Sequence, residues 1–193
     1  MKRKKKLQPV HLAAIAAAAS FLVVFIVYAG IQAEPALPRS VRPSYHAHAD
    51  FLVVINGRQM DFSKQEYEVA DPSIHLHLRN FAGDRVLHIE SREATLGDFF
   101  SSLGMELSGG CFFTESAEYC SDGQQRLSFF VNGKMMENPE NYMPEDMDRM
   151  LVIYGNYTDE ETKTWIDSVT SYACIFSLKC SPPEEAENRV IYN

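Results

Sequence analysis

Five of the six histidines lie between residues 46 and 88, and they come in spaced sets: His46-Ala47-His48, His75-Leu76-His77, and His88 two residues before Glu90. Side chains two apart on an extended strand point to the same face, about 6–7 Å apart along the chain. A His-x-His pair on a strand is therefore a preassembled chelate for a metal ion. Two to four imidazoles with one carboxylate suit Cu(II) or Zn(II), and Ni(II) or Fe(II) less well. The candidate ligands are His75, His77 and His88, with His46 and His48 next and Glu90 as ligand or as partner to one. Two blander readings stand beside this one: a pH-responsive histidine patch, and ordinary polar decoration of strands.

A single ion requires these sets to share a face, which constrains the pairing of residues 74–79 with 85–90. With a short even turn at Phe81-Ala82-Gly83-Asp84, partner numbers sum to an odd value. His77 then lies opposite His88, and His75 opposite Glu90. A three-residue loop would send His88 and Glu90 to the other side and break the site. His46 and His48 join if their strand neighbours this hairpin. Elsewhere the chemistry is thin. Met135, Met136, Met143, Met147 and Met150 read either as soft Cu(I) ligands or as core and loop filler. Asn156-Tyr157-Thr158 matches a glycosylation sequon. No Gly-rich phosphate loop, Ser-His-Asp order or catalytic acid pair stands out.

The elements that must position these residues read as follows. Tyr45–Ile55 alternates throughout, with Tyr45, Ala47, Ala49, Phe51, Val53 and Ile55 on the face opposite His46 and His48. Asn56-Gly57 supplies the residues of a type I′ hairpin turn, and Asn132-Gly133 does the same after Leu127–Val131. The two hairpins correspond at a constant offset, as a duplicated unit or as two ordinary hairpins of one sheet. Thr95 caps a helix that runs through Leu96, Phe99, Phe100 and Leu103 to Gly104, and Thr158 with Glu161 opens another. Trp165, Ile166, Val169 and Tyr172 are expected to line one face of this terminal helix. The sum is an α+β fold: a single N-terminal transmembrane helix followed by an antiparallel, β-grasp-like domain with two Asn-Gly hairpins and a C-terminal helix. The β-grasp likeness rests on Thr95–Tyr154, where an acidic turn precedes the last strand.

The chain of 193 residues carries 18 Lys+Arg and 26 Asp+Glu. Lys2, Arg3, Lys4, Lys5 and Lys6 precede the first apolar run and no acid precedes Glu34, so residues 34–193 hold 13 basic and 26 acidic side chains. That imbalance argues against nucleic acid as a partner. Leu12–Ile31 makes a helix of about 30 Å, long enough for a bilayer core. The basic pentad orients it with the remainder outside the cytoplasm. A cleaved signal peptide is the rival reading; an uncleaved anchor fits the longer apolar stretch better. The expected organisation is a basic cytoplasmic tail (1–9), a signal anchor (10–33), a Pro-rich linker (34–44), an exported domain (45–180) and a loose tail (181–193). Four cysteines agree with an oxidising compartment, and local pairing, Cys111 with Cys120 and Cys174 with Cys180, is the simplest.

The series HAHADFLVVING, IHLHLRN, VLHIES, TLGDFF, FFVNGK, DRMLVIYG and ACIFSLKC is similar to a group of uncharacterised membrane-anchored proteins of archaea and candidate-phylum bacteria. The similarity spans residues 45–180. It implies an exported His-rich domain and carries no activity with it. From the residues, the leading expectation is a noncatalytic extracytoplasmic module holding Cu or Zn. Its alternatives are a zinc-dependent hydrolase or hydratase, with Glu90 as base, and an accessory subunit that docks on a membrane-protein partner.

Overall fold

The computed structural model describes residues 45–183. Within them the chain forms a mixed seven-stranded sheet. Its strands are β1 (Ala47–Ile55), β2 (Arg58–Gln59), β3 (Ile74–Leu76), β4 (Val86–Ile89), β8 (Arg126–Val131), β9 (Lys134–Met136) and β10 (Arg149–Gly155). A second sheet of three strands comprises β5 (Glu106–Ser108), β6 (Cys111–Phe113) and β7 (Glu118–Cys120). The large sheet runs in the order β3-β4-β1-β10-β8-β9, with β2 also paired to β1. Helix is confined, among the described residues, to α1 (Leu96–Ser102), α2 (Asp159–Ser168), α3 (Ala173–Phe176) and two short 3-10 turns.

This corrects the expected antiparallel, β-grasp-like class. The centre of the sheet is parallel: β1 pairs β10 from Asp50↔Arg149 to Ile55↔Tyr154. The physical reason is burial on both faces. Phe51–Ile55 and Met150–Tyr154 are nearly unbroken apolar runs, as a covered central pair requires. Alternation in Tyr45–Ile55 implied one solvent-facing side, yet Ala47–Phe51, Val53 and Val54 are all buried. The expected transmembrane segment, its basic tail, the linker and the end of the C-terminal tail lie outside the described residues. No helix among the described residues is long and apolar enough to cross a membrane.

Both Asn-Gly pairs turn with positive φ at each residue, at Asn56-Gly57 and Asn132-Gly133, joining Ile55 to Arg58 and Val131 to Lys134. The offset correspondence does not extend to pairing. β8 lies against β10, whereas β4 separates β3 from β1.

One face of the sheet carries the main core. Ala47, Ala49, Phe51, Val53, Ile74, Leu76, Leu87 and Ile89 pack there against Phe99, Phe100 and Phe112 from α1 and β6. Thr95 caps α1 with Asp98 in a reciprocal capping box, and Thr158 with Glu161 does so for α2. α2 covers the middle of the opposite face, where Trp165 and Ile166 meet Val54, Leu151 and Ile153. The expected continuation of this helix through Tyr172 is also corrected. It ends at Ser168, because the Arg149 guanidinium donates to the carbonyls of Ile166, Asp167, Val169 and Thr170. A cation at a helix C-terminus satisfies carbonyls that would otherwise lack partners. The chain then drops onto β1 as α3. There the buried Asp50 carboxylate accepts from Thr170 Oγ1 and from the backbone N–H groups of Tyr172 and Ala173. Cys111–Cys120 bridges directly paired residues of β6 and β7, and Cys174–Cys180 closes the loop after α3.

Candidate metal centre

β4 lies between β1 and β3, and the register aligns one histidine from each strand. His48 is the partner of His88, and His88 is the partner of His75. The three imidazoles therefore form a row across the sheet on the face opposite the phenylalanine core. His46, just before β1, and His77, just after β3, extend it by the two-residue spacing. Ring centroids lie 4.9 Å apart for His48–His88 and for His75–His88, 4.7 Å for His77–His88 and 4.4 Å for His46–His88.

The hairpin register differs from the expected one. Ile74, His75 and Leu76 pair with Ile89, His88 and Leu87, so His75 rather than His77 faces His88. Parity is unchanged, and the sets share a face. The shift arises in the connection. Instead of a short turn, residues 77–85 fold through successive turns, with Asn80 N–H on the His77 carbonyl, Gly83 on Asn80 and Arg85 on Ala82. A Cβ at Gly83 would stand 2.0 Å from the His77 carbonyl oxygen, so only glycine permits this approach.

The five rings fall into two sets of three, His46–His48–His88 and His75–His77–His88. In each set one nitrogen per ring lies within 4.8 Å of the others. His48, His75 and His88 are buried, His77 is half-buried and His46 is exposed. The Nε2 atoms of His75 and His77 are 3.1 Å apart. Two metal–nitrogen bonds of about 2.0–2.1 Å to atoms at that separation enclose an angle of about 95–102°, between square and tetrahedral values. These histidine groups can hold a metal ion.

Burial, reinforced by the charge of neighbouring imidazoles, depresses His88 to a pKa of about 3 and His48 to about 4. Burial lowers His75 and His77 as well. His48, His75, His77 and His88 are thus neutral at pH 7, with lone pairs available. Two of its atoms, His75 Nδ1 and His88 Nε2, are buried without a hydrogen-bond partner. His88 Nε2 does lie 2.9 Å from Glu90 Oε1, but outside the direction a ring N–H could use, so the contact is close without being a hydrogen bond. Glu90 belongs to neither set of three. It stands beside them half-buried, with one carboxyl oxygen against His88.

Sequence reasoning missed the residues that hold His48. Its Nδ1 is 3.1 Å from Ser177 Oγ, which lies against Asp146 Oδ1. The same carboxylate accepts from the His48 backbone N–H at 3.0 Å and from Lys179 Nζ at 2.6 Å. Partial burial works to raise the Asp146 carboxyl, but the bonds from Lys179, Ser177 and His48 outweigh it and hold it below the usual carboxylate range. An ionised carboxylate only accepts, so Ser177 donates to Asp146 and accepts from His48 Nδ1–H. That fixes the tautomer and leaves His48 Nε2 with a free lone pair, as partners behind a ligating histidine do. Phe176 packs its ring 5.7 Å from that of His48. The sole hint in the sequence was the Cys174–Cys180 loop, which holds Phe176, Ser177 and Lys179 together.

No protein-family model, curated protein or solved structure matches this chain.

Proposed function

We propose that the domain is a noncatalytic metal-binding module that holds Cu(II) or Zn(II) outside the cytoplasm, carried there by the apolar N-terminal segment. The observation that carries this reading is the histidine row: three buried neutral imidazoles from three adjacent strands, flanked by two more accessible ones. A buried polar nitrogen without a partner is costly, and at His88 Nε2 an ion supplies the missing partner. Because His48, His75, His77 and His88 are neutral at pH 7, a first ion can bind through their lone pairs without displacing protons. The accessible His46 and His77 give an entry from solvent onto the buried floor of His48, His75 and His88. The acidic balance of residues 34–193 raises the local cation concentration.

The test is metal uptake by the purified, untagged full-length chain after chelator treatment and mild dialysis. Retention of Cu or Zn at a stoichiometric level is expected. Less than about a tenth of an equivalent, with no uptake of either ion, would falsify the reading. Zinc-dependent hydrolysis or hydration is the second reading, favoured by sets of three imidazoles that leave a fourth coordination position to solvent. Ester-hydrolysis and CO₂-hydration assays on the zinc form, compared with His77→Ala, separate the two. Docking on a membrane-protein partner would show as a crosslinked species in native membranes that persists in metal-free preparations.

A further inference from the structure

The five imidazoles are more than one tetrahedral ion takes, and their arrangement divides them evenly. β4 is flanked by β1 on one side and β3 on the other, so His88 stands between His46–His48 and His75–His77. The two sets of three meet in His88 alone. Each has the same composition: a buried member on the neighbouring strand (His48 or His75), a more accessible member at that strand's end (His46 or His77), and the shared centre. Carboxylates flank both sets: Asp146 acts on His48, Glu68 and Glu90 act on His75 and His77, and Glu90 Oε1 also lies 2.9 Å from the shared His88 Nε2. Nitrogens on one ion can be no more than about 4.2 Å apart, twice the bond length. Closing either set from 4.8 Å asks little of its accessible member, whereas gathering all five rings on one ion would pull apart the strand register.

Building on the metal-binding reading, we propose that the centre is dinuclear. One ion is held by His46, His48 and His88, the other by His75, His77 and His88, with the His88 ring offering one nitrogen to each. A ring that ligates through both nitrogens has lost its remaining N–H. Occupancy of the second position therefore forms one metal–nitrogen bond at His88, breaks that N–H bond and releases one proton to solvent. The ligand class is a pair of divalent, imidazole-preferring ions, Cu(II), Zn(II) or one of each. Asp146, beside His48, and Glu90, beside the shared His88, offset part of the added charge.

The experiment is a Cu(II) titration of the untagged full-length chain, read by elemental analysis after dialysis and by quantitative electron paramagnetic resonance. Two ions per chain are expected, with most of the resonance intensity lost as the second copper couples to the first through the shared ring. The double variants His46→Ala/His48→Ala and His75→Ala/His77→Ala should each keep one copper and regain full intensity per copper. One ion per intact chain overturns the dinuclear centre and leaves the metal-binding reading standing. No bound ion overturns both. Two ions with undiminished intensity overturn the sharing of His88. If a double variant fails to fold, stoichiometry and intensity in the intact chain decide alone.

Discussion

His48 and Asp50 lie two residues apart on the same face of β1, and both are buried. Burial disfavours charge in each, with opposite consequences. The Asp50 carboxyl is pushed up by burial, although hydrogen bonds from Thr170, Ala173 and Tyr172 pull against this. His48 and His88 are pushed down. The difference lies in what surrounds them. Asp50 is fully engaged, and so is the other buried carboxylate, Asp148, which accepts from Asn132 Nδ2, Tyr142 Oη and Glu145 N–H. The imidazole row leaves two buried nitrogens without partners. Buried polar groups in native proteins are nearly always bonded. The acids therefore read as fasteners and the imidazoles as a receptor.

Acid should separate the two most strongly. A histidine whose folded pKa is depressed takes up protons in the unfolded state first. Its contribution is complete above the unfolded value of 6.5 and is lost as pH falls towards the folded values of about 4 and 3. Between pH 6.5 and 4 the metal-free protein should lose about 1.4 kcal/mol per pH unit for each such group. Asp50 has the reverse sign, contributing most at low pH and less as pH rises through its elevated value. Urea midpoints from pH 7 to 4.5 measure the net slope, and a flat profile would count against the neutral buried row.

Next in size, Asp50→Ala strips three donors of their acceptor and frees α3 from β1. It should cost about 3 kcal/mol or more at pH 7, read from the urea midpoint. His88→Leu, by contrast, removes a buried group with an unpartnered nitrogen. The metal-free variant should unfold at the wild-type midpoint or above. What it loses is stabilisation by metal, which in the wild type amounts to about 2.7 kcal/mol at an ion concentration one hundredfold above Kd. A smaller effect is expected of Ser177→Ala, which leaves His48 Nδ1 without its acceptor. Metal affinity should fall by about 10–100-fold with the fold intact, as measured by competition with a chelating dye. Smallest is Thr158→Ala, which removes the cap of α2. It should cost about 1 kcal/mol in thermal or urea unfolding and leave metal affinity unchanged.

Where the sequence was legible, the signal was local. Asn56-Gly57 and Asn132-Gly133, the capping boxes at Thr95 and Thr158, and the face-sharing of His75, His77 and His88 all follow from spacings of a few residues. What could not be read was set by partners far along the chain. The parallel contact of β1 with β10 has no local turn to announce it. Arg149 ends α2, some twenty residues ahead of it in sequence, by filling its carbonyls. Ser177 reaches His48 across 129 positions. Even the hairpin register turned on the fold of residues 77–85, where Gly83 nests on the His77 carbonyl and displaces the expected pairing by two residues.

The central parallel pair also sets a clock. Asp50 meets Arg149 in the sheet, so β1 leaves the ribosome long before its main partner exists. At about 5–20 residues per second, that wait is roughly 5–20 s. For that interval Phe51–Ile55 is an apolar strand with only β2 and β4 to pair with, and the side awaiting β10 is an open edge that can template association with another chain. The histidine row can form early, since β1, β3 and β4 are all made by residue 89. The Ser177 support and the α3 cover arrive last. An ion captured by the early row would hold β1 against β4 while the chain waits for β10.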